Sequence, residues 1–161
     1  MDILNYIQNT LSNKISNSVN TFGNRPKNLT KENIQLIKDN YVCSIKADGL
    51  RCFLYYNDNK IYSILHPFEV KEIGKIKNKN TYLLDCEYIS DLKKYYVFDA
   101  LISEGKDITN LSLVKRLSLI PKDLLTKDIV MKDILNLKND KDIFKLSEKI
   151  FNKKYPYEID G

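Results

Sequence analysis

The stretch SIKADGLRCF, residues 44–53, sets Lys46, Asp48, Gly49 and Arg51 at the junction of two apolar runs. A lysine amine is a nucleophile once neutral, and an arginine fork suits phosphate recognition. Further along, LLDCEYI places Asp85 and Glu87 two residues apart, so period-two alternation puts both carboxylates on one strand face. The terminal EIDG, residues 158–161, repeats the pattern with Glu158 and Asp160, and FDA, residues 98–100, sets Phe98 beside Asp99. Carboxylates on strands this apolar need a cation or a donor, because unpaired burial is costly. The set offers one lysine nucleophile, one arginine for phosphate, several metal-ready carboxylates and an aromatic to stack on a base. That inventory fits nucleotidyl transfer. Each piece also has a plainer reading. Asp48-Gly49 is a strong signal for a β-hairpin turn, and the Asp85/Glu87 face could simply meet solvent.

The elements that must position these residues change texture along the chain. Residues 2–19 space Ile3, Ile7, Leu11 and Ile15 four apart, one stripe of an amphipathic helix. After the Gly/Pro loop TFGNRPKN, Thr30 can N-cap a second helix that carries Glu32 in its first turn and buries Ile34, Leu36 and Ile37. From residue 41, YVCSI, RCFLYY, KIYSIL, TYLLDCEYI and KYYVFDALI read as about five strands of an antiparallel sheet, separated by turn clusters such as NDN and KNKN. Beyond residue 110 the pattern becomes helical, ending in DIFKLSEKIFNKKYP with Ile143, Leu146 and Ile150 on one face and Pro156 as the stop. Helices, then strands, then helices is an α+β order rather than alternating βαβ.

Composition narrows the partners. The 161 residues suffice for a buried core, and 43% apolar content fits a globular chain. A net charge of +5, nearly all its cations lysine, suits a polyanion such as nucleotide or RNA. Cys43, Cys52 and Cys86 are odd in number and lack metal-like pairing, which favours reduced thiols inside a cell. With His66 the single histidine, a zinc site or a histidine triad is improbable, and His66 and the cysteines read as packing residues. No apolar run reaches membrane-spanning length, and the N-terminus has no signal-peptide pattern, so a soluble, unsecreted protein with no membrane partner is expected.

Five segments, in order, resemble the motifs of the covalent nucleotidyltransferases, the mRNA capping guanylyltransferases and the polynucleotide ligases. KADGLR matches their KxDGxR nucleophile motif. LLDCEYI resembles the next acidic motif, with Cys86 where glycine is usual, and YYVFDAL resembles the one in which an aromatic packs on the base. SLVKRLSLI follows with an arginine-leucine pair at Arg116 and Leu117, and YPYEIDG looks like the start of a motif that capping enzymes continue as Asp-Gly-Leu-Ile-Phe. The lead-in FGNRPKNLTKENIQLIKDNYVCSIKADG resembles that of capping enzymes, departing from their Pro-Val-Ser at Pro26, Lys27 and Asn28. Asp160 directly before Gly161 also matches capping enzymes, where ligases carry Glu-Gly. The guanylyltransferase branch is therefore favoured, and the Lys/Asn/Ile-heavy composition resembles capping enzymes of large DNA viruses.

The resemblance implies an ATP-grasp-like nucleotidyltransferase domain of α+β class, a largely antiparallel sheet flanked by helices and incomplete at its C-terminus. Residues 1–21 would form an N-terminal helix and 22–161 a partial catalytic domain, without the closing OB-fold domain. It implies attack of Lys46 on GTP, a lysyl-GMP intermediate, Mg²⁺ or Mn²⁺, and transfer of GMP to 5′-diphosphate RNA. Arg51 would contact ribose or phosphates, Glu87 ribose or metal, and Asp160 metal, while Phe98 would stack on guanine. Asp48 and Gly49 would order the turn, and Asp85 and Asp99 would be structural acids near the site. A free lysine titrates near pH 10.4, so Lys46 must be depressed by desolvation and by neighbouring positive charge, Arg51 and the cation. The alternatives are an ATP-dependent DNA or RNA ligase that forms lysyl-AMP on the same lysine, or a non-catalytic nucleotide- or RNA-binding remnant. Triphosphatase and methyltransferase domains or subunits are expected partners. The expected location is intracellular: a cytoplasmic viral factory or virion for a virus-encoded protein, the nucleus for a cellular one.

Overall fold

The computed structural model describes residues 2–11, 22, 28, 30–32, 41–136, 145, 148 and 152–159. They fall into two compact units, Met1–Asn24 with Gly49–Met131, and Arg25–Asp48 with Lys132–Gly161. The described residues are mainly sheet, with few helices.

The first unit is built on an antiparallel meander. Strands β2 (Leu50–Asn57), β3 (Lys60–Leu65), β4 (Glu69–Lys75), β5 (Tyr82–Ile89), β6 (Lys94–Ser103) and β7 (Lys106–Asp107) lie in the order β4-β3-β2-β5-β6-β7. A further strand, β8 (Ile129–Met131), runs parallel to β6. The predicted runs RCFLYY, KIYSIL, TYLLDCEYI and KYYVFDALI are β2, β3, β5 and β6. EVKEIGK was not expected as a strand, and β4 shows why. It is an edge strand exposed along nearly all its length, so it lacks the apolar alternation that marks a half-buried strand.

Because side chains alternate, each central strand feeds two cores. Cys52, Leu54, Tyr56, Leu84, Cys86, Val97 and Ala100 pack on one face with Leu124 and Ile129. Phe53, Tyr55, Leu83, Leu101 and Ile102 pack on the other against Ile7, Leu11 and Phe22. Helix α1 (Ile3–Thr10) supplies that second layer. Asp2 caps it, accepting from the backbone N–H groups of Leu4 and Asn5, and Ile7 and Leu11 are fully buried, as their spacing of four requires. Residues 12–19 of the helix expected over 2–19 lie outside the described residues, as do the helix beyond Glu32 and all but Lys145 and Glu148 of residues 137–151.

The tight hairpin is not where Asp48-Gly49 suggested it. Asn57 and Lys60 are register partners, and between them Asp58 and Asn59 both take positive φ, 47° and 65°, as a type I′ turn requires. Asp48 and Gly49 instead carry the chain from one unit to the other.

In the second unit, β1 (Val42–Ser44) pairs antiparallel with β9 (Ile134–Asn136) as a separate two-stranded sheet. YVCSI therefore does not join the large sheet, contrary to expectation. Its partner, ILN at residues 134–136, is too short and too distant in sequence for local patterning to reveal. His66, expected among the packing residues, is exposed in the β3–β4 turn. Among the described residues no helix is long and apolar enough to cross a membrane.

Candidate active site

Lys46 follows from strict alternation in the second unit. Ile45 and Ala47 are buried at 5% and 4% exposure, so the lysine between them is directed outward and is exposed. Ala47 forms an antiparallel bridge with Ile159, and the Asp48 N–H donates to the carbonyl of Glu158 at 2.9 Å. The fold thus brings Glu158 and Ile159 beside the lysine strand, across more than a hundred residues of sequence. Asp160 and Gly161 lie outside the described residues, so the expected metal role of Asp160 is not placed.

Gly49, Arg51, Asp85, Glu87, Phe98 and Asp99 belong to the first unit. Gly49 is needed for close approach rather than for a left-handed turn, because its φ is not among the positive ones. A Cβ there would meet Ile89 Cδ1 at 2.7 Å, the Tyr88 carbonyl oxygen at 2.8 Å and Glu87 Cγ at 2.9 Å. The glycine lets the start of β2 pass directly against β5 at Glu87.

Arg51 and Asp85 form the tightest pair of the face. Arg51 is opposite Glu87 in the register and Phe53 is opposite Asp85, so the arginine reaches diagonally along the sheet. Its Nε donates to Asp85 Oδ1 at 3.0 Å and its Nη2 to Oδ2 at 2.6 Å, and its guanidinium carbon lies 5.5 Å from the centre of the Phe53 ring. Asp85 is 3% exposed, so the carboxylate face is not a solvent face at this position. Burial pushes the Asp85 carboxyl up to about 6, against the opposing pull of Arg51. The same carboxylate raises Arg51, which stays protonated. Among the described residues, Arg51 Nη1 makes no hydrogen bond, leaving the arginine an N–H group for a ligand.

Phe98 owes its place to a β-bulge. Asp85 pairs with Asp99 but Cys86 pairs with Val97, so Phe98 has no register partner on β5. Val97 and Ala100 both enter the core of one face, and the extra residue leaves Phe98 and Asp99 together on the side of Asp85. Plain alternation would have separated them. Phe98 is half-buried. Asp99 is held by Arg116 on helix α2 (Leu113–Ser118), whose Nε and Nη2 each donate at 2.7 Å to its two oxygens.

Cys86, where glycine is usual, stands at the β5–β6 register shift and turns its side chain away from the face of Asp85. β5 runs unbroken from Tyr82 to Ile89, and Cys86 is fully buried in the opposite core, facing Cys52 across the ladder. The bidentate pairing of Arg116 with Asp99 was not read from the sequence. A signal existed: of 26 basic residues only Arg25, Arg51 and Arg116 are arginine, and both described arginines serve where a planar fork is needed.

Among the described residues no group of three His, Cys, Asp or Glu side chains is placed to hold a metal ion. Asp85 and Asp99 are each bidentate to an arginine, and Glu87 is the third carboxylate of the face. Magnesium is usually held by one or two carboxylates together with substrate phosphates, not by a closed protein cage. A single partly exposed Glu87 fits that arrangement.

The sequence is similar to known capping enzymes. It is 27% identical over 151 residues to the mRNA-capping enzyme subunit alpha of Schizosaccharomyces pombe, covering 76% of this chain and 37% of that protein. It is 29% identical over 134 residues to an mRNA-capping enzyme of African swine fever virus, covering 75% of this chain and 15% of that protein. The chain thus spans well under half the length of either relative. The model of the mRNA capping enzyme catalytic domain matches residues 2–159, nearly the full length, and the chain belongs to that family.

Proposed function

We propose that this chain is the nucleotidyltransferase part of an mRNA guanylyltransferase, with an α+β, ATP-grasp-like architecture over residues 22–161. The family match over residues 2–159 carries the reading, and the intact KADGLR sequence supports it.

Lys46 acts as the nucleophile. Its neutral amine attacks the α-phosphorus of GTP, an N–P bond forms, the bond to the β,γ-diphosphate breaks, and pyrophosphate departs. The amine loses its proton and lysyl-GMP remains. The terminal phosphate oxygen of a 5′-diphosphate RNA then displaces Lys46 and takes the GMP. Arg51, held by two of its nitrogens on Asp85, offers its third to the ribose or the phosphates. Phe98 stacks on the guanine, and Gly49 lets the start of β2 pass directly against Glu87 on β5. Glu87, with Asp160, would hold Mg²⁺ or Mn²⁺, which when bound neutralises charge on the phosphate oxygens. The protein works inside the cell, with triphosphatase and methyltransferase activities supplied by neighbouring domains or subunits.

The test is covalent labelling. The full-length protein is incubated with GTP or ATP labelled at the α-phosphate, a divalent cation and pyrophosphatase, then resolved on a denaturing gel. Label from GTP that disappears in Lys46→Ala is expected. Label from ATP instead would identify a ligase, and label from neither would identify a non-catalytic module.

A further inference from the structure

The Asp85–Asp99 register pair sets two carboxylates directly opposite each other across β5 and β6. Like charges in such positions destabilise a sheet, yet here each acid has its own arginine. The order is Arg51, Asp85, Asp99, Arg116, a chain of charges closed at both ends by a bidentate guanidinium. The two arginines are used differently. Arg116 donates from Nε and Nη2 to Asp99 and from Nη1 to the Leu111 carbonyl, so all three of its nitrogens are occupied. Arg51 keeps Nη1 open among the described residues. Asp99 also accepts from the Ala100 N–H at 2.7 Å, which fixes its carboxylate beside the bulge.

We propose that Arg116 is a positioning residue for Arg51, acting through the cross-strand pair of Asp99 and Asp85. With Arg116 in place, Asp99 is neutralised and the Arg51 hydrogen bonds go to Asp85, with Glu87 opposite it in the register and its outer nitrogen in one orientation. Without it, Asp99 becomes an uncompensated charge next to Asp85, and Arg51 is drawn between two acids. Partial burial of both ion pairs strengthens this competition: the Arg116 and Asp99 side chains are 16% and 19% exposed, and those of Arg51 and Asp85 are 30% and 4%. The functional consequence rests on the reading above, that Arg51 contacts the nucleotide.

The charge mechanism is tested without nucleotide first. The Arg51 Nε–H resonance is followed by ¹⁵N NMR in the full chain, and its hydrogen-exchange protection reports the bond to Asp85. In Arg116→Met this protection should fall by about fivefold, the upper end for a cross-strand like-charge pair. Adding Asp99→Asn, which removes the charge but keeps the acceptor for Ala100, should restore it. If Arg116 only anchors α2, the double variant will be no better than the single one, and the proposal fails. An unchanged Arg51 signal in Arg116→Met also overturns it. Should Arg116→Met not fold, Arg116→Lys, which keeps the charge without the fork, should show a smaller loss, again reversed by Asp99→Asn. In the second arm, Arg116→Met should raise the KM for GTP in lysyl-GMP formation more than it lowers kcat, and Asp99→Asn should reverse that rise. If the NMR result holds but no form of the protein uses GTP, the charge chain stands and the guanylyltransferase reading falls.

Discussion

Gly49→Ala is the smallest change that probes how the start of β2 meets the acidic strand. The added methyl would sit 2.7 Å from Ile89 Cδ1, 2.8 Å from the Tyr88 carbonyl oxygen and 2.9 Å from Glu87 Cγ. The Ile89 methyl can rotate away. The Tyr88 oxygen cannot, because Leu50 and Tyr88 are register partners and moving it opens the first rung of the β2–β5 ladder. Overpacking of this kind costs about 1–3 kcal/mol. Alanine returns roughly 0.4–1 kcal/mol by restricting the unfolded chain, since Gly49 is not at positive φ. The net loss is then about 1 kcal/mol, a fall of about 0.5–1 M in the urea midpoint for a slope of about 1–2 kcal/mol per molar. Catalysis should suffer more than stability, because the third contact is the Glu87 side chain itself. Displacing a positioning group by about 1 Å can cost 10²-fold in rate. The assays are urea unfolding followed by circular dichroism and the rate of lysyl-GMP formation. A variant with an unchanged midpoint and an unchanged labelling rate would refute the close-approach argument. A lowered midpoint with normal labelling would show that Glu87 does not need its present position.

Lys46→Ala and Lys46→Arg should both abolish labelling while leaving the unfolding midpoint nearly unchanged, since the side chain is exposed and a guanidinium does not lose its proton; residual adduct would place the nucleophile elsewhere. Phe98→Ala should weaken GTP binding by about 1–3 kcal/mol, one stacking interaction, measured by calorimetry; unchanged affinity would make Phe98 a packing residue only. The Asp85 carboxyl, raised to about 6, holds its proton more tightly folded than unfolded. Its contribution therefore favours the folded state below the unfolded value near 4 and is lost as pH rises to about 6, levelling off above. Asp85→Asn should remove that slope from a plot of melting temperature against pH, and identical slopes in the two proteins would contradict the buried-acid assignment.

Much of this protein was legible in its sequence because local rules apply to it. Alternation put Asp85 and Glu87 on one face, and short aromatic and β-branched runs between turn clusters identified four of the seven strands of the large sheet. The spacing of Ile7 and Leu11 fixed the buried stripe of α1. Where the sequence misled, the deciding partner was distant. Asp48-Gly49 carries the signature of a hairpin, but β1 finds its partner in Ile134–Asn136 and the glycine is required by a strand some forty residues away. The bulge at Phe98 breaks period two within β6, and nothing in KYYVFDALI marks it. It arises because Val97 and Ala100 are both taken into one core, which only the packed sheet can impose. The same holds for Arg51 and Arg116. Their scarcity among lysines hinted that a fork was needed, but which acid each would hold depended on the β2–β5–β6 register and on where α2 comes to rest. Residue chemistry and period are properties of a segment and can be read from it. Ion-pair partners and close approaches are properties of the space between segments, and they exist only once the chain has packed.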